Sequence, residues 1–216
     1  MLLLLLFTFF TAVPSLRLSH LASCGKTRGC WTLPAGCSGN ECAAVISWQH
    51  QGKAVIMEIE AKIRKGPVGS WIGFGISRDD RMGNDTVLEC HFTTGKLGSV
   101  HLSHNVQNSN IILPAASDYL LKDSFVEESE GKFWCGTEWI LDYTILQKDE
   151  KQMLHRLNSG KWNLFYAFGD LDPVGQKKIH AIAGIEAPWK SAETVRFCLA
   201  CPSAFQIVDE HLVVKV

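Results

Sequence analysis

The sequence predicts an all-β fold, an antiparallel β-sandwich stapled by disulfides. Three observations support this prediction: apolar residues that alternate with polar or small ones, turn residues at fairly regular spacing, and eight cysteines among 216 residues. Alternation with period two is typical of strands that bury one face. Regularly spaced turns favour a sandwich or barrel over alternating strands and helices.

The chain begins with the apolar segment MLLLLLFTFFTAVPS, and its first charged side chain is Arg17. An apolar stretch of this length that ends in small residues is typical of a secretory signal peptide. We therefore expect a signal peptide at 1–19, a domain at 20–190, and a C-terminal strand or tail at 191–216 that packs on the same domain. A signal anchor is the alternative. No later segment is apolar enough to span a membrane, so a secreted, extracellular protein is expected.

Cysteines in an exported chain indicate disulfides. The candidates are Cys24, Cys30, Cys37, Cys42, Cys90, Cys135, Cys198 and Cys201. Eight cysteines allow about a hundred different pairings, and the residues alone do not choose among them. A zinc site formed by the first four is an alternative, and the Cys-x-x-Cys at 198–201 has the spacing of a redox motif. Structural bridges are favoured, because the compartment is oxidising and no βαβ pattern surrounds the motif.

The strands follow in order after a cysteine-rich segment at 24–42. In 53–63 the apolar residues alternate with charged ones, and Lys-Gly-Pro then turns the chain. In 71–77, Ile72, Phe74 and Ile76 alternate with a tryptophan and two glycines, which permit close approach on one face. Further strands are predicted at 86–92, 98–102, 132–141, 161–168, 179–185, 194–199 and 205–216, with one short helix within 147–157.

Several function classes lack support in the sequence. The net charge is −1 and no basic stripe is present, so a nucleic-acid partner is not expected. No nucleophile elbow, phosphate-binding loop or zinc-protease motif occurs, and the Asp170-x-Asp172 pair is interpreted as a loop. We therefore predict no catalytic residues, and no enzymatic turnover by this chain alone.

Histidines and one methionine remain to be explained. His101 and His104 are three residues apart, which places them on opposite faces of a strand, and they are interpreted as solvated loop residues. Met82 lies at the tip of a polar turn, although methionine usually fills a core. His180 is predicted on a returning strand. Taken alone, Met82 is interpreted as a packing residue and His180 as a hydrogen-bonded histidine.

An ordered set of motifs resembles the DOMON domain, an immunoglobulin-like β-sandwich, and is most similar to the version in ferric-chelate-reductase-like membrane proteins. The cysteine-rich segment and the strand around Cys135 also resemble that version, so the similarity covers roughly 24–188. The motifs are Trp71, Phe-Gly-Ile-Ser at 74–77, Met-Gly-Asn-Asp at 82–85, Val-Leu-Glu-Cys at 87–90, Ala-Phe-Gly at 167–169 and His180.

The resemblance implies a cofactor. Some DOMON domains, such as the cytochrome domain of cellobiose dehydrogenase, hold haem b between a methionine and a histidine. Carried over to this chain, the axial ligands are Met82 and His180, and the implied function is one-electron transfer. The resemblance further implies that four residues line the cofactor site: Trp71, Phe74, Gly83 and Phe168.

Two differences from the family pattern and one disulfide pairing give further expectations. The similar membrane proteins continue into a transmembrane cytochrome module, whereas this chain ends at Val216, so a separate redox partner is expected. The sequon Asn84-Asp85-Thr86 predicts a glycan at Asn84, close to the implied ligand Met82. Cys90 and Cys135 are expected to bridge neighbouring strands, because each falls in a predicted strand beside a family motif.

Two alternatives remain open at this point. The domain can be a haem-free extracellular binding module for a carbohydrate or a protein, with Trp71, Trp162 and Trp189 as stacking residues. It can also be mainly a disulfide-stapled structural or matrix component, because a fold does not determine a function.

Overall fold

The computed structural model describes residues 23–197 and, by their backbone alone, residues 209–211. The predicted signal peptide at 1–19 and the cysteines Cys198 and Cys201 lie outside the described residues. Twelve strands are present: β1 Gly29–Leu33, β2 Ala44–Gln51, β3 Ala54–Ala61, β4 Gly69–Ser77, β5 Asp85–Thr93, β6 Ser99–Val106, β7 Ser109–Ile112, β8 Leu121–Ser129, β9 Lys132–Ile140, β10 Asn163–Asp170, β11 Trp189–Ser191 and β12 Asp209–His211.

Two short α-helices accompany the strands, α1 at Pro114–Leu120 and α2 at Lys148–Met153. Helix α2 confirms the short helix predicted within 147–157. Proline at the start of α1 suits the first helical turn, where its missing N–H has no intrahelical partner. Within the described part of the chain, neither helix has the length and apolar character needed to cross a membrane.

The strands form two antiparallel sheets. A five-stranded sheet has the order β1-β2-β3-β9-β8, and a seven-stranded sheet has the order β12-β11-β10-β4-β5-β6-β7. This arrangement confirms the predicted all-β sandwich. The boundary predicted at residue 190 falls inside β11, which pairs with β10.

The core lies between the two sheets. Met57 and Ile59 of β3 and Ile72 of β4 are completely buried in one apolar cluster. Phe92 of β5 meets Phe133 of β9 edge to face, with 4.9 Å between ring centroids. Each such side chain contributes about 1.5–3 kcal/mol of transfer free energy when it leaves water.

Three disulfides confirm the bridging role of six predicted cysteines. The pairs are Cys24–Cys30, Cys37–Cys42 and Cys90–Cys135. The expected pairing of Cys90 with Cys135 is confirmed, but the expectation that they bridge neighbouring strands is wrong. Cys90 lies on β5 of one sheet and Cys135 on β9 of the other, so their bond crosses the core. Bridges of this kind are typical of oxidising compartments.

The strand predicted at 179–185 is wrong. These residues form an irregular segment, and Ile179 and Ile185 are 80% and 88% exposed. Alternating isoleucine and alanine imitates a strand locally, but strand propensity is realised only where a neighbouring strand and a buried face are present. Gly184, with φ of 83°, adopts a left-handed conformation that does not continue a strand.

The C-terminal predictions are confirmed only in part. In the described portion of 194–199, Val195 makes an isolated bridge with Trp162 and no extended strand forms. In 205–216, a short strand is present at Asp209–His211. The interpretation of His101 and His104 as loop residues is wrong, because β6 extends beyond the predicted 98–102 and contains both.

The inter-sheet disulfide gives a direct stability prediction. Replacing Cys90 and Cys135 together by alanine should lower the free energy of unfolding by about 4 kcal/mol, because their bond closes a loop of 45 residues. The same change at Cys37 and Cys42, which are 5 residues apart, should cost about 2 kcal/mol. Urea denaturation of both variants measures the difference. The prediction is contradicted if the variant without Cys90 and Cys135 loses no more unfolding free energy than the variant without Cys37 and Cys42.

Candidate functional site

The seven-stranded sheet turns one face toward the core and the other away from it, and we call the second its outer face. Along β4, Ile72, Phe74 and Ile76 point toward the core, so Trp71 and the glycines point to the outer face. The strand register brings together five small or apolar residues on that face, which we call the floor: Gly73, Gly75, Val87, Phe165 and Ala167.

The floor is largely covered: Gly73 and Gly75 are buried, and Val87 and Phe165 are 7% and 9% exposed. A Cβ atom on Gly73 would lie 3.3 Å from Val87 Cγ1 and from Trp71 Cζ3. A Cβ atom on Gly75 would lie 3.2 Å from the Cβ of Phe165. These positions therefore require the absence of a side chain for the neighbouring residues to pack as they do.

The loop at 78–84 joins β4 to β5 at one end of the floor, and we call it the methionine loop. Its residue Met82 is 41% exposed, which is unusual for a methionine. The carboxylate of Asp85 accepts hydrogen bonds from Gly83 N at 2.8 Å and from Asn105 Nδ2 at 3.0 Å. Burial raises the pKa of Asp85 from its ordinary value. Gly83 has φ of 127°, a conformation open mainly to glycine.

The methionine loop is also tied to the outer face. Asp80 accepts a hydrogen bond from Lys190 Nζ at 3.1 Å. Lys190 lies directly opposite Phe165 in the sheet register, and directly opposite residues share a face. The Phe165 end of the floor is therefore the end at which this loop is attached.

His155 supports the methionine loop from the side of α2. Its Nε2 lies 2.6 Å from the carbonyl oxygen of Asn84, and its ring stacks on Trp162 at 4.9 Å. The hydroxyl of Thr86 accepts a hydrogen bond from His155 N at 2.6 Å. Asn84 itself is exposed, with φ of 60°. The sequence analysis did not identify His155, because the contact joins residues 71 positions apart.

The segment at 171–188 leaves β10 at the opposite end of the floor and carries His180, so we call it the histidine segment. Lys178 N donates to Asp170 O at 2.9 Å, and Lys178 O accepts a hydrogen bond from Trp71 Nε1 at 3.0 Å. His180 is half-buried, and its Nδ1 lies 2.8 Å from the carbonyl oxygen of Ala181. A proton on Nδ1 leaves Nε2 as the nitrogen with a free lone pair.

A buried polar cluster surrounds Glu89 on the outer face of β5. Its carboxylate, which is fully buried, accepts a hydrogen bond from Ser103 Oγ and forms an ion pair with Lys177. His91 Nε2 lies 3.2 Å from the same carboxylate, which gives His91 a partner that the sequence did not reveal. Burial alone would raise the pKa of Glu89, but the hydrogen bond from His91 and the charge of Lys177 outweigh it and lower the pKa to about 2.

The structure places the six residues expected to hold a cofactor in two different environments. Trp71 is on the outer face, and Met82, Gly83 and His180 lie on the two flanking loops. The two loops leave the sheet at opposite ends of β4, whose stretch from Trp71 to Ser77 is about 20 Å long.

The two phenylalanines of the set lie on the core side of the sheet. Phe74 is completely buried and meets Phe197 edge to face at 6.4 Å. Phe168 packs against the core cluster, with its ring 6.1 Å from that of Tyr166. Neither phenylalanine therefore shares a face with Trp71, and the period-two alternation along β4 already indicates this for Phe74.

The donor chemistry of this region fits a haem better than a carboxylate-bound or thiolate-bound metal. No group of three or more histidine, cysteine, aspartate or glutamate side chains with metal-binding geometry occurs in residues 23–197. A thioether on one loop and an imidazole with a free Nε2 on the other flank an apolar floor. Methionine and histidine are the axial ligands of many electron-transfer haems.

Comparison with known proteins gives one distant relative and no matching family model. The chain is 26% identical over 154 residues to a ferric-chelate reductase 1 homolog of Drosophila melanogaster. The match includes 68% of this chain and 22% of that protein, so the chain spans about a fifth of the relative's length. This distant similarity suggests that the chain contains a DOMON-related domain, and the similar protein is redox-related.

The buried histidines give a pH prediction. Burial lowers the pKa of both His104 and His155 from its ordinary value near 6.5, so the unfolded chain binds more protons than the folded one as the pH falls below that value. The free energy of unfolding should therefore decrease between pH 7.5 and pH 5.5, roughly the range in which histidine titrates.

The variant His155→Gln tests this prediction, because glutamine can still donate to Asn84 O but does not titrate. Its free energy of unfolding, measured in urea at both pH values, should depend less on pH than that of the unchanged protein. If the free energy of unfolding depends on pH identically in the two proteins, His155 does not contribute to the pH dependence and the prediction is wrong.

Proposed function

We propose that this chain is an exported, DOMON-related electron-transfer module that binds haem b at the outer face of its seven-stranded sheet. Met82 and His180 would hold its iron. The observation that carries the proposal is that both residues lie on loops bordering one apolar floor, and both loops would fold over that floor to bring the thioether and the imidazole to a single iron. The motifs that resemble the DOMON domain support the same two residues independently of the geometry.

Several parts of the site have a role in holding the proposed haem. The hydrogen bond from Nδ1 to Ala181 O orients the His180 ring and directs Nε2 outward. The bond from Gly83 N to Asp85 fixes the turn that presents Met82. The space above Gly73 and Gly75 is filled by Trp71, Val87 and Phe165, and a flat ligand would have to displace these side chains to reach the backbone. A haem held by a thioether and an imidazole would supply one-electron transfer chemistry.

Export and a separate redox partner belong to the same proposal. The apolar leader at 1–19 and the three disulfides support passage through an oxidising compartment. The partial match to a ferric-chelate reductase homolog supports a redox role. A redox partner would approach the exposed loops around the floor.

The carbohydrate-binding alternative has less support in the positions of its stacking residues. Trp71 and Trp162 are 6% and 3% exposed, so neither ring offers a free face to a sugar. Trp162 instead stacks on His155, and Lys177 lies over the ring of Trp71 at 5.0 Å. Trp189, the third residue of that alternative, is half-buried and packs against the core cluster. A haem-free carbohydrate-binding module is therefore not adopted as a second function.

Haem titration of purified variants tests the proposal. The unchanged protein should develop a sharp Soret band and, when reduced, the narrow bands of six-coordinate low-spin haem. Met82→Leu, which nearly conserves volume, and His180→Ala should each abolish the low-spin spectrum. They should weaken haem binding by roughly 100-fold or more, because even outer-shell partners contribute 10–100-fold.

Met57→Leu serves as the matched control for the methionine. Met57 is completely buried in the core, and the change should leave the spectrum as it is. An unaltered low-spin spectrum in Met82→Leu or in His180→Ala would show that the assigned residue is not a ligand. No spectral change on adding haem to the unchanged protein would overturn the proposed function.

A further inference from the structure

The structure assigns a positioning role to the ion pair between Lys177 and Glu89: it anchors the histidine segment on the outer face, so that His180 is held at the end of the floor. This inference rests on the proposed function, because it concerns how the chain places one of the two ligands. Glu89 lies within the Val-Leu-Glu-Cys motif at 87–90, and Lys177 lies outside the motifs. The resemblance implies no ligand or pocket role for either residue.

Glu89 is a rigid anchor point. Its side chain is completely buried on β5, a strand between β4 and β6 within the sheet. Besides Lys177, it accepts a hydrogen bond from Ser103 Oγ and lies 3.2 Å from His91 Nε2. The carboxylate therefore has a fixed position, and a buried carboxylate of this kind requires its cationic partner.

Lys177 connects this anchor point to the histidine segment. Its side chain is 17% exposed, and its ammonium group lies 5.0 Å from the ring centroid of Trp71. A cation over an aromatic ring gains a further attraction. In sequence, Lys177 is three residues before His180, so the ion pair fixes the chain immediately before the ligand.

The backbone bonds of Lys178 reinforce the anchor, and the chain beyond them is exposed. Lys178 bonds through its N to Asp170 and through its O to Trp71. Ile179 and Ile185 are then 80% and 88% exposed, so packing of these side chains does not set the path. The contacts at 177 and 178 therefore fix the chain on the N-terminal side of His180, and buried Ala187 fixes it on the C-terminal side.

The ion pair also has an electrostatic consequence at the proposed haem face. Without Lys177, the negative charge of Glu89 is uncompensated and favours the ferric state. Without Glu89, the positive charge of Lys177 is uncompensated and favours the ferrous state. The two neutralising changes should therefore shift the reduction potential in opposite directions, whereas a purely structural disturbance would shift it in the same direction.

The experiment compares Lys177→Met and Glu89→Gln with the control Lys178→Met in the haem-loaded, full-length protein. Methionine keeps the unbranched apolar stem of lysine and removes its charge. Lys178 is the neighbouring lysine, but it is exposed and its anchoring bonds are made by the backbone.

Potentiometric titration should give a lower reduction potential for Lys177→Met, a higher one for Glu89→Gln, and little change for Lys178→Met. Haem binding should weaken roughly 10–100-fold in Lys177→Met, as expected for an outer-shell partner. Shifts of the same sign in the first two variants, or equal effects of Lys177→Met and Lys178→Met, would overturn the inference.

Hydrogen exchange of the haem-free protein separates this inference from the proposed function. Amide protection across 171–188 should fall roughly tenfold or more in Lys177→Met but not in Lys178→Met, because breaking a buried ion pair is strongly destabilising. Unchanged protection in Lys177→Met would refute the anchoring role even if haem binds. If haem does not bind the unchanged protein, the proposed function fails, and exchange still decides whether the pair anchors the segment.

Discussion

The strict alternation of side chains along β4 is the constraint on which the rest of the structure depends. One set of residues, Ile72, Phe74 and Ile76, is completely buried between the sheets. The other set, Trp71 with the two glycines, therefore has to lie on the outer face. Because a one-residue slip would exchange the two sets, burial of the core fixes the register of the strand and with it the position of the floor.

The same register determines where the loops that carry Met82 and His180 lie. Because β4 and β10 are antiparallel, the loop after β4 and the loop after β10 emerge at opposite ends of the sheet. One carries Met82 and the other carries His180. Each is tied to the outer face by a charged pair, Asp80 with Lys190 at one end and Glu89 with Lys177 at the other. A sandwich with this order of strands thus places the loops that carry Met82 and His180 at the two ends of one face.

Much of the sandwich was predictable from sequence, because its central strands bury one face and alternate clearly. Strands β1, β2 and β7 were not among the predicted strands. Two further kinds of feature were not predictable. Strand β8 is largely polar, since it lies at the edge of its sheet, so no apolar alternation marks it. The cluster around Glu89 joins residues up to 88 positions apart, and local patterns carry no information on such contacts. The strand prediction around Ile179 was wrong for the opposite reason. The local alternation is present, but no partner strand lies beside it.

The central claim is that Met82 and His180 together hold a haem, and the visible absorption spectrum of the protein recovered from the medium of a secreting host tests it most directly. The account predicts a coloured protein whose reduced form has the narrow α and β bands of low-spin haem with both axial positions occupied. A protein that is secreted and folded, yet remains colourless after haem is supplied to the host, would contradict it.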